Sequence, residues 1–329
     1  MNKESELRTR YNDNTRGVYF IGTTPPKIDT PLENVEAIAD KLLERVKDIA
    51  IDGFIVYDIQ DEDSRTSIPR PFPFKSTHDP RYYSALLNKK SSRPVITYKS
   101  VVQSEVEVFN KWLDEAWNDY GVRELVLVGS PSVKNKVSLP LGDAYNTVVK
   151  NSHNFFTGGV TIAERHASKG DEHERLIEKS EQGCNFFISQ AIYNPQETID
   201  ILTRYAIECQ NRDLKPKRII LTFSPCGSDK TLKFIEWLGV SVPEATSLRI
   251  LHADNPLHES IKVCCNNLNQ ILDAVVDYDL PLGLNIESLT NRKDEIDGAI
   301  LLYKLLRSSM DSALAKHEFS RLRRDSANS

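Results

Sequence analysis

Two kinds of segment alternate along the whole chain: short apolar runs rich in β-branched and aromatic residues, and longer stretches whose apolar positions recur every three or four residues. The runs read as strands at Val18-Thr23, Gly53-Ile59, Pro94-Tyr98, Glu124-Gly129, Phe155-Ile162, Asn185-Ile192, Arg218-Phe223 and Gly283-Glu287. Between them, Glu33-Ile49, Ser104-Asp119, Glu172-Gln182, Pro195-Asn211 and Lys230-Leu238 have the period of amphipathic helices. Runs such as Leu125-Val126-Leu127-Val128 are continuously apolar, as strands buried on both faces must be, and this argues for parallel pairing. Eight βα units predict an α/β fold, a (β/α)8 or TIM barrel. The competing open, doubly wound sheet lacks a G-x-G-x-x-G after the first strand. The stretch from Ser247 to Asp279 is too long for one connection and predicts an extra helix before strand eight.

One barrel domain is expected over residues 17-316. It is preceded by a polar extension, 1-16, and followed by a polar, basic tail, 317-329, both expected to fray. The connection from Asp61 to Pro80 holds Pro69, Pro71 and Pro73 with Phe72 and Phe74 among them, so it reads as a rim loop or lid, or as a simply packed segment, and not as a linker. Forty-two Lys and Arg against 47 Asp and Glu give a net charge of -5, which disfavours nucleic acid and anionic membranes as partners. No run reaches the length of a membrane span, and the N-terminus has no signal-like stretch, so a cytoplasmic protein with a small-molecule partner is expected. The amphipathic helices suggest a homo-oligomer. Five cysteines without C-x-x-C spacing read as reduced core thiols.

In such a barrel the strand ends and the loops that follow them form the active site, and here they are polar. Strand two reaches Asp58, Lys99 closes strand three and Gly129-Ser130 strand four; Glu164-Arg165-His166 follow strand five. Ser189-Gln190 and Tyr193 lie on and beyond strand six, Ser224 follows strand seven, and Asn285 and Glu287 lie on strand eight. A metal held by Asp58, Glu164, His166 and Glu287 lacks any tight ligand motif and is set aside. Arg165, Lys169, Arg175 and Lys179 can hold a phosphate or belong to a solvated helix face shared with Glu172, Glu174 and Glu178.

The segment Ala163-Glu164-Arg165-His166, with Lys179 on the next helix and Gly183-Cys184-Asn185-Phe186-Phe187-Ile188-Ser189-Gln190 after it, resembles the methylenetetrahydrofolate reductase family. There P-E-x-H follows strand five and A-G-A-x-x-x-I-T-Q forms strand six. Thr24-Pro25-Pro26, Ser64-Arg65-Thr66 and Leu289-Thr290-Asn291-Arg292 resemble further motifs of that family in the same order. The resemblance implies FAD on the C-terminal face, with NAD(P)H and a methylenetetrahydrofolate taking turns against its ring. It also implies that Gly129, Glu164, His166, Glu172, Arg175 and Lys179 contact the flavin, while Gln190, Tyr193 and Arg292 contact folate or nicotinamide.

The departures from the family fall on the chemistry. Gly22 stands where the family has a catalytic Glu, Val128-Gly129-Ser130 replace R-G-D, Val95 replaces a His, and Asp58 aligns with a Thr. A proton would have to come from a relocated acid, Glu287 or Asp58. The expectation is a flavin-dependent, reductase-like enzyme. The alternatives are a barrel that uses a folate or another pterin in one-carbon transfer without flavin, and a non-catalytic regulatory or scaffold subunit.

Overall fold

The computed structural model describes residues 3-61, 66-102, 104-129 and 137-328. Eight parallel strands follow one another in order around a closed barrel: β1 (Tyr19–Thr23), β2 (Gly53–Val56), β3 (Val95–Ser100), β4 (Glu124–Val128), β5 (Phe156–Thr161), β6 (Phe186–Ala191), β7 (Arg218–Phe223) and β8 (Leu282–Glu287). The fold is a TIM barrel, and every strand expected from the apolar runs is present, with ends shifted by at most three residues. Helices α1 (Lys3–Arg10), α2 (Leu32–Val46), α3 (Pro80–Ser91), α4 (Val106–Asn118), α5 (Leu141–Lys150), α6 (Ala163–Lys169) and α7 (Glu172–Glu181) belong to the first part of the chain. They are followed by α8 (Pro195–Asn211), α9 (Asp229–Trp237), α10 (Glu244–Leu251), α11 (Pro256–Val275) and α12 (Lys293–Asn328). The extra helix before strand eight is present: α10 and α11 both intervene between β7 and β8.

Two compact units make up the chain. One comprises Phe20–Val160 with Glu178–Phe187; the other comprises Met1–Tyr19, Thr161–Ile177 and Ile188–Ser329. In the first, β2 and β3 pair in register, Ile55 opposite Ile96 and Val56 opposite Thr97, and β4 continues with Tyr98 opposite Val126. Helix α3 starts on local chemistry: Asp79 accepts from the Arg81 amide, Pro80 occupies the first turn, and Ser92 ends the helix in the left-handed region. The proline-rich connection is fastened at its far end, where Ile28 N–H donates to Ser76 O at 3.0 Å and His78 N–H to Pro26 O at 2.8 Å. Its last residues therefore pack on the β1–α2 loop.

In the second unit, β7 and β8 pair from Ile219 opposite Leu282 to Phe223 opposite Ile286. Helix α11 opens on Asn255, whose side chain accepts from the His258 amide, and buries Ile261, Cys264, Leu268, Ile271 and Val275 along one stripe. Four cysteines are buried, Cys265 is half-buried, and all five are free thiols. The tail expected to fray instead continues α12 as far as Asn328. Leu306, Met310 and Leu314 anchor that helix at i,i+4 spacing, and His317 sits between Asp277 (3.2 Å) and Asp279 (3.0 Å).

The N-terminal extension is also tied down. Arg218, at the start of β7, is fully buried and donates to the carbonyls of Arg10 (2.6 Å), Arg16 (3.0 Å) and Tyr11 (3.2 Å), and to those of Asp13 and Leu282. Burial pushes its pKa down to about 10, so the guanidinium is still charged at neutral pH. Removing the donors leaves buried carbonyls without partners. Arg218→Met is expected to lower the unfolding free energy by about 3 kcal/mol in urea titrations. An unchanged midpoint would show that the extension contributes nothing to stability.

Candidate functional site

In parallel strands paired in register, residues alternate between the barrel interior and the helix layer, and a few contacts fix which is which. In the Phe20–Val160 unit, Thr97 Oγ1 donates to Ser84 Oγ of α3 at 2.8 Å, so Val95, Thr97 and Lys99 face the helices. Ile96, Tyr98 and Ser100 then face the interior, where Tyr57 and Tyr98 meet edge to face with centroids 4.8 Å apart.

This alternation relocates Asp58. Its neighbours are on the helix side: Lys99, whose ammonium lies 5.3 Å from the Trp112 ring centre, and Asp79. The carboxylate accepts from Ser100 N–H at 2.8 Å and from the Gln60 amide at 2.7 Å. Burial raises the Asp58 pKa against the pull of these donors, and burial also lowers that of Lys99. Asp79 in turn holds Arg81 at 2.7 Å. Asp58, expected as a relocated acid in the barrel mouth, is therefore part of a charge network under α3 and α4.

The same unit holds Gly129 and Lys179. A Cβ on Gly129 would meet Leu141 at 3.6 Å, an ordinary contact, so nothing in its surroundings demands glycine. Lys179 is buried, donates to Val160 O at 2.7 Å and lies 5.9 Å from the Phe187 ring centre. Ser130, Glu62 and Ser64-Arg65 lie outside the described residues.

In the other unit the interior face is set by Tyr19, whose hydroxyl donates to Asp311 of α12, so that Val18 faces inward. A Cβ on Gly283 would fall 2.5 Å from Val18 Cγ2, which puts Gly283, and with it Asn285 and Glu287, on the interior face of β8. Thr222 is opposite Asn285 in register, and the Asn285 amide donates to Thr222 Oγ1 at 3.2 Å. Thr222 and Asn285 are buried, and Glu287, at the strand end, is half-buried. Of the two acids expected to replace Gly22, only Glu287 faces the interior.

Other residues expected to touch ligand are engaged by the chain itself. Gln190 donates its amide to Leu238 O at 2.7 Å, and Glu164 accepts from Ser241 N–H at 2.8 Å. Ser241 Oγ donates to Glu197 at 3.0 Å, and Glu197 also accepts from Asn194 at 2.9 Å. The α9–α10 connection is thus laced onto the ends of β5 and β6. Burial raises the Glu164 pKa, and the nearby Glu197 charge adds to the rise. Glu172 is fully buried, accepts from Ile162 N–H at 3.1 Å, and pairs with Arg165 at 3.1 Å and Arg175 at 3.4 Å. Arg165, Arg175 and Lys179 are therefore engaged within the protein, while Lys169 and Glu178 of the same group are exposed, as on a solvated face.

Tyr193 is buried in a cluster with Cys226, Leu232, Ile235 and Val263, and its hydroxyl donates to Ser224 O at 2.7 Å. Arg292 is exposed and pairs with Asp294 at 2.7 Å. His166 is buried beside His173, and its pKa is lowered by burial and by that neighbour. Two features were not foreseen. Thr222 reads as an ordinary strand residue. Glu295 reads as a surface acid, yet it is buried, accepting from Gly227 N–H at 2.9 Å and Thr231 Oγ1 at 2.8 Å. Among the described residues no group of three His, Cys, Asp or Glu is placed to hold a metal, and no helix is long and apolar enough to cross a membrane.

The architecture and the polar strand ends define a (β/α)8 barrel protein. No protein-family model and no curated protein matches the sequence. Among solved structures, an uncharacterized protein from Clostridium thermocellum that binds two copies of 5-methyl-5,6,7,8-tetrahydrofolic acid matches with a TM-score of 0.78 and 32% identity, covering 92% of this chain and 99% of that one. The chain belongs to the same family as that protein. A 2,3-dimethylmalate lyase (11% identity, 74% of this chain and 80% of that one, TM-score 0.45) and an oxaloacetate acetylhydrolase complex with oxalate (11%, 86% and 80%, 0.46) are too distant to bear on function.

Glu164 supplies a test of this geometry. Because its folded pKa lies above the ordinary 4.5, the stability it contributes is complete below the unfolded value and is lost as pH rises through the raised folded value. Glu164→Gln, which keeps a neutral group beside Glu197, is expected to flatten the fall in Tm as pH rises above the ordinary glutamate value of 4.5. Parallel Tm profiles for wild type and variant would contradict the placement.

Proposed function

We propose that this chain is a folate-binding barrel that works without flavin. The observation that carries this reading is its relationship, over 92% of its length, to a barrel that binds 5-methyl-5,6,7,8-tetrahydrofolic acid. The residues themselves speak against flavin. Glu164 and Gln190, which the reductase resemblance assigns to flavin and pterin, hold the Leu238–Ser241 segment, and Glu172, Arg175 and Lys179 are engaged within the protein. These residues do not fit FAD, and reduction by NAD(P)H has no observation behind it.

A reduced pterin presents adjacent N3–H and 2-amino donors, which a carboxylate accepts in parallel. On the interior face of β8, Glu287 is the carboxylate for that edge, with Asn285 and Thr222 as the neighbouring polar groups. A one-carbon group leaves N5 for a nucleophile only once N5 is protonated, and because an ionised Glu287 on the N3–H edge does not reach N5, that proton comes from another acid or from water. The ligand class is a folate carrying or accepting a one-carbon unit; the reaction class is one-carbon transfer.

Calorimetric titration with 5-methyltetrahydrofolate is expected to show binding by the wild-type chain. Glu287→Gln should weaken it roughly ten- to hundred-fold, the worth of a charge-assisted hydrogen bond, whereas Asp58→Asn should leave it within about threefold. Equal affinity in wild type and Glu287→Gln would remove Glu287 from the site, and absence of binding by wild type would overturn the folate reading.

A further inference from the structure

The turn between α6 and α7 carries chemistry that the folate reading does not use. Helix α6 ends at Gly170, whose φ of 76° is the left-handed conformation that glycine adopts without strain, and the chain reverses there into α7. The reversal brings His173 against His166, with ring centroids 5.3 Å apart and planes at 84°. His166 is 6% exposed and the His173 side chain 14%. In both rings Nδ1 is buried and has no hydrogen-bond partner among the described residues. A buried polar nitrogen without a partner is costly, and two of them on adjacent rings need an explanation.

The far side of His173 provides one. Its Nε2 lies 3.7 Å from Glu174 Oε1, and Glu174 is gripped through both oxygens by Arg212, at 2.8 and 2.6 Å. Arg212 is itself held by Glu208 at 2.6 Å. At 3.7 Å the contact of Nε2 with Glu174 is longer than a hydrogen bond, but a carboxylate on that side favours the tautomer with the proton on Nε2 and the lone pair on Nδ1. Metal-binding imidazoles commonly have a carboxylate near the far nitrogen.

We propose that His166 and His173 bind a divalent cation of the imidazole-preferring class, Zn2+, Ni2+ or Cu2+, through their Nδ1 atoms, with water completing the coordination. The spacing fits. Two imidazoles bound tetrahedrally at about 2.0–2.1 Å place their ring centres roughly 5 Å apart, against the 5.3 Å seen here. With two protein ligands, exchangeable positions remain on the cation, and its binding clamps α6 to α7. A plain aromatic pair accounts for the edge-to-face rings but not for the two buried nitrogens.

The test uses the full chain without an affinity tag, dialysed against chelator and titrated with Zn2+ by calorimetry and with Co2+ by visible absorption. The expected result is one cation per chain and a Co2+ spectrum of low coordination number. His166→Ala and His173→Gln should each weaken Zn2+ binding at least about tenfold, and Glu174→Gln about tenfold, while exposed His258→Gln should have no effect. If His166→Ala loses its helical circular dichroism, His173→Gln and Glu174→Gln decide the question. Wild-type binding no tighter than that of a His166→Ala/His173→Gln double variant, or full affinity in both His173→Gln and Glu174→Gln, would overturn the proposal.

Discussion

In-register parallel pairing decides which polar groups of this protein reach the barrel interior. Each strand presents alternate residues to the two sides, so a single helix-side contact fixes the direction of every other residue on that strand. The Thr97–Ser84 bond turns Lys99 outward, and Asp58 keeps company with it under α3 and α4. The close approach of Gly283 to Val18 turns Asn285 and Glu287 inward. Two acids that look equivalent as strand-end carboxylates are thus separated into a structural role and a candidate binding role. The proposed pterin recognition by Glu287 depends on that separation.

A second constraint comes from the cost of burying charge, which requires each buried ion to find partners inside the fold. Glu172 collects Arg165, Arg175 and a backbone amide; Arg218 collects the carbonyls of the N-terminal segment; Glu295 ties the loop after β7 to the start of α12. Groups spent in this way are not available to a ligand. The residues that most resemble a flavin site belong to these internal networks, and the sequence motif they form is compatible with a barrel that has changed its chemistry. Burial without a hydrogen-bond partner also occurs, and among the described residues the His166–His173 turn holds two such nitrogens on adjacent rings.

The barrel itself was legible because its signals are local. Apolar runs of four to six residues, helical periods between them and capping residues such as Asp79-Pro80 and Asn255-Pro256 act within a few positions of the chain. The helical tail was missed because its anchors, Leu306, Met310 and Leu314, precede the polar stretch that suggested fraying. The site was only partly legible. Glu287 was singled out as a strand-end acid. The engagement of Gln190 and Glu164 was invisible because their partners, Leu238 and Ser241, are 48 and 77 residues away in a connection with no motif of its own. Tyr193 carries an aromatic that suits a stacking slot, and only its burial among α9 and α11 residues reveals it as core.

The central claim is folate binding that does not require flavin. Equilibrium dialysis of the purified chain against 5-methyltetrahydrofolate, with and without added FAD, tests it most directly. The account expects the same folate affinity in both conditions and no retained absorbance near about 450 nm, where a bound flavin would show. Folate binding that appears only with FAD, together with one retained flavin per chain, would contradict it.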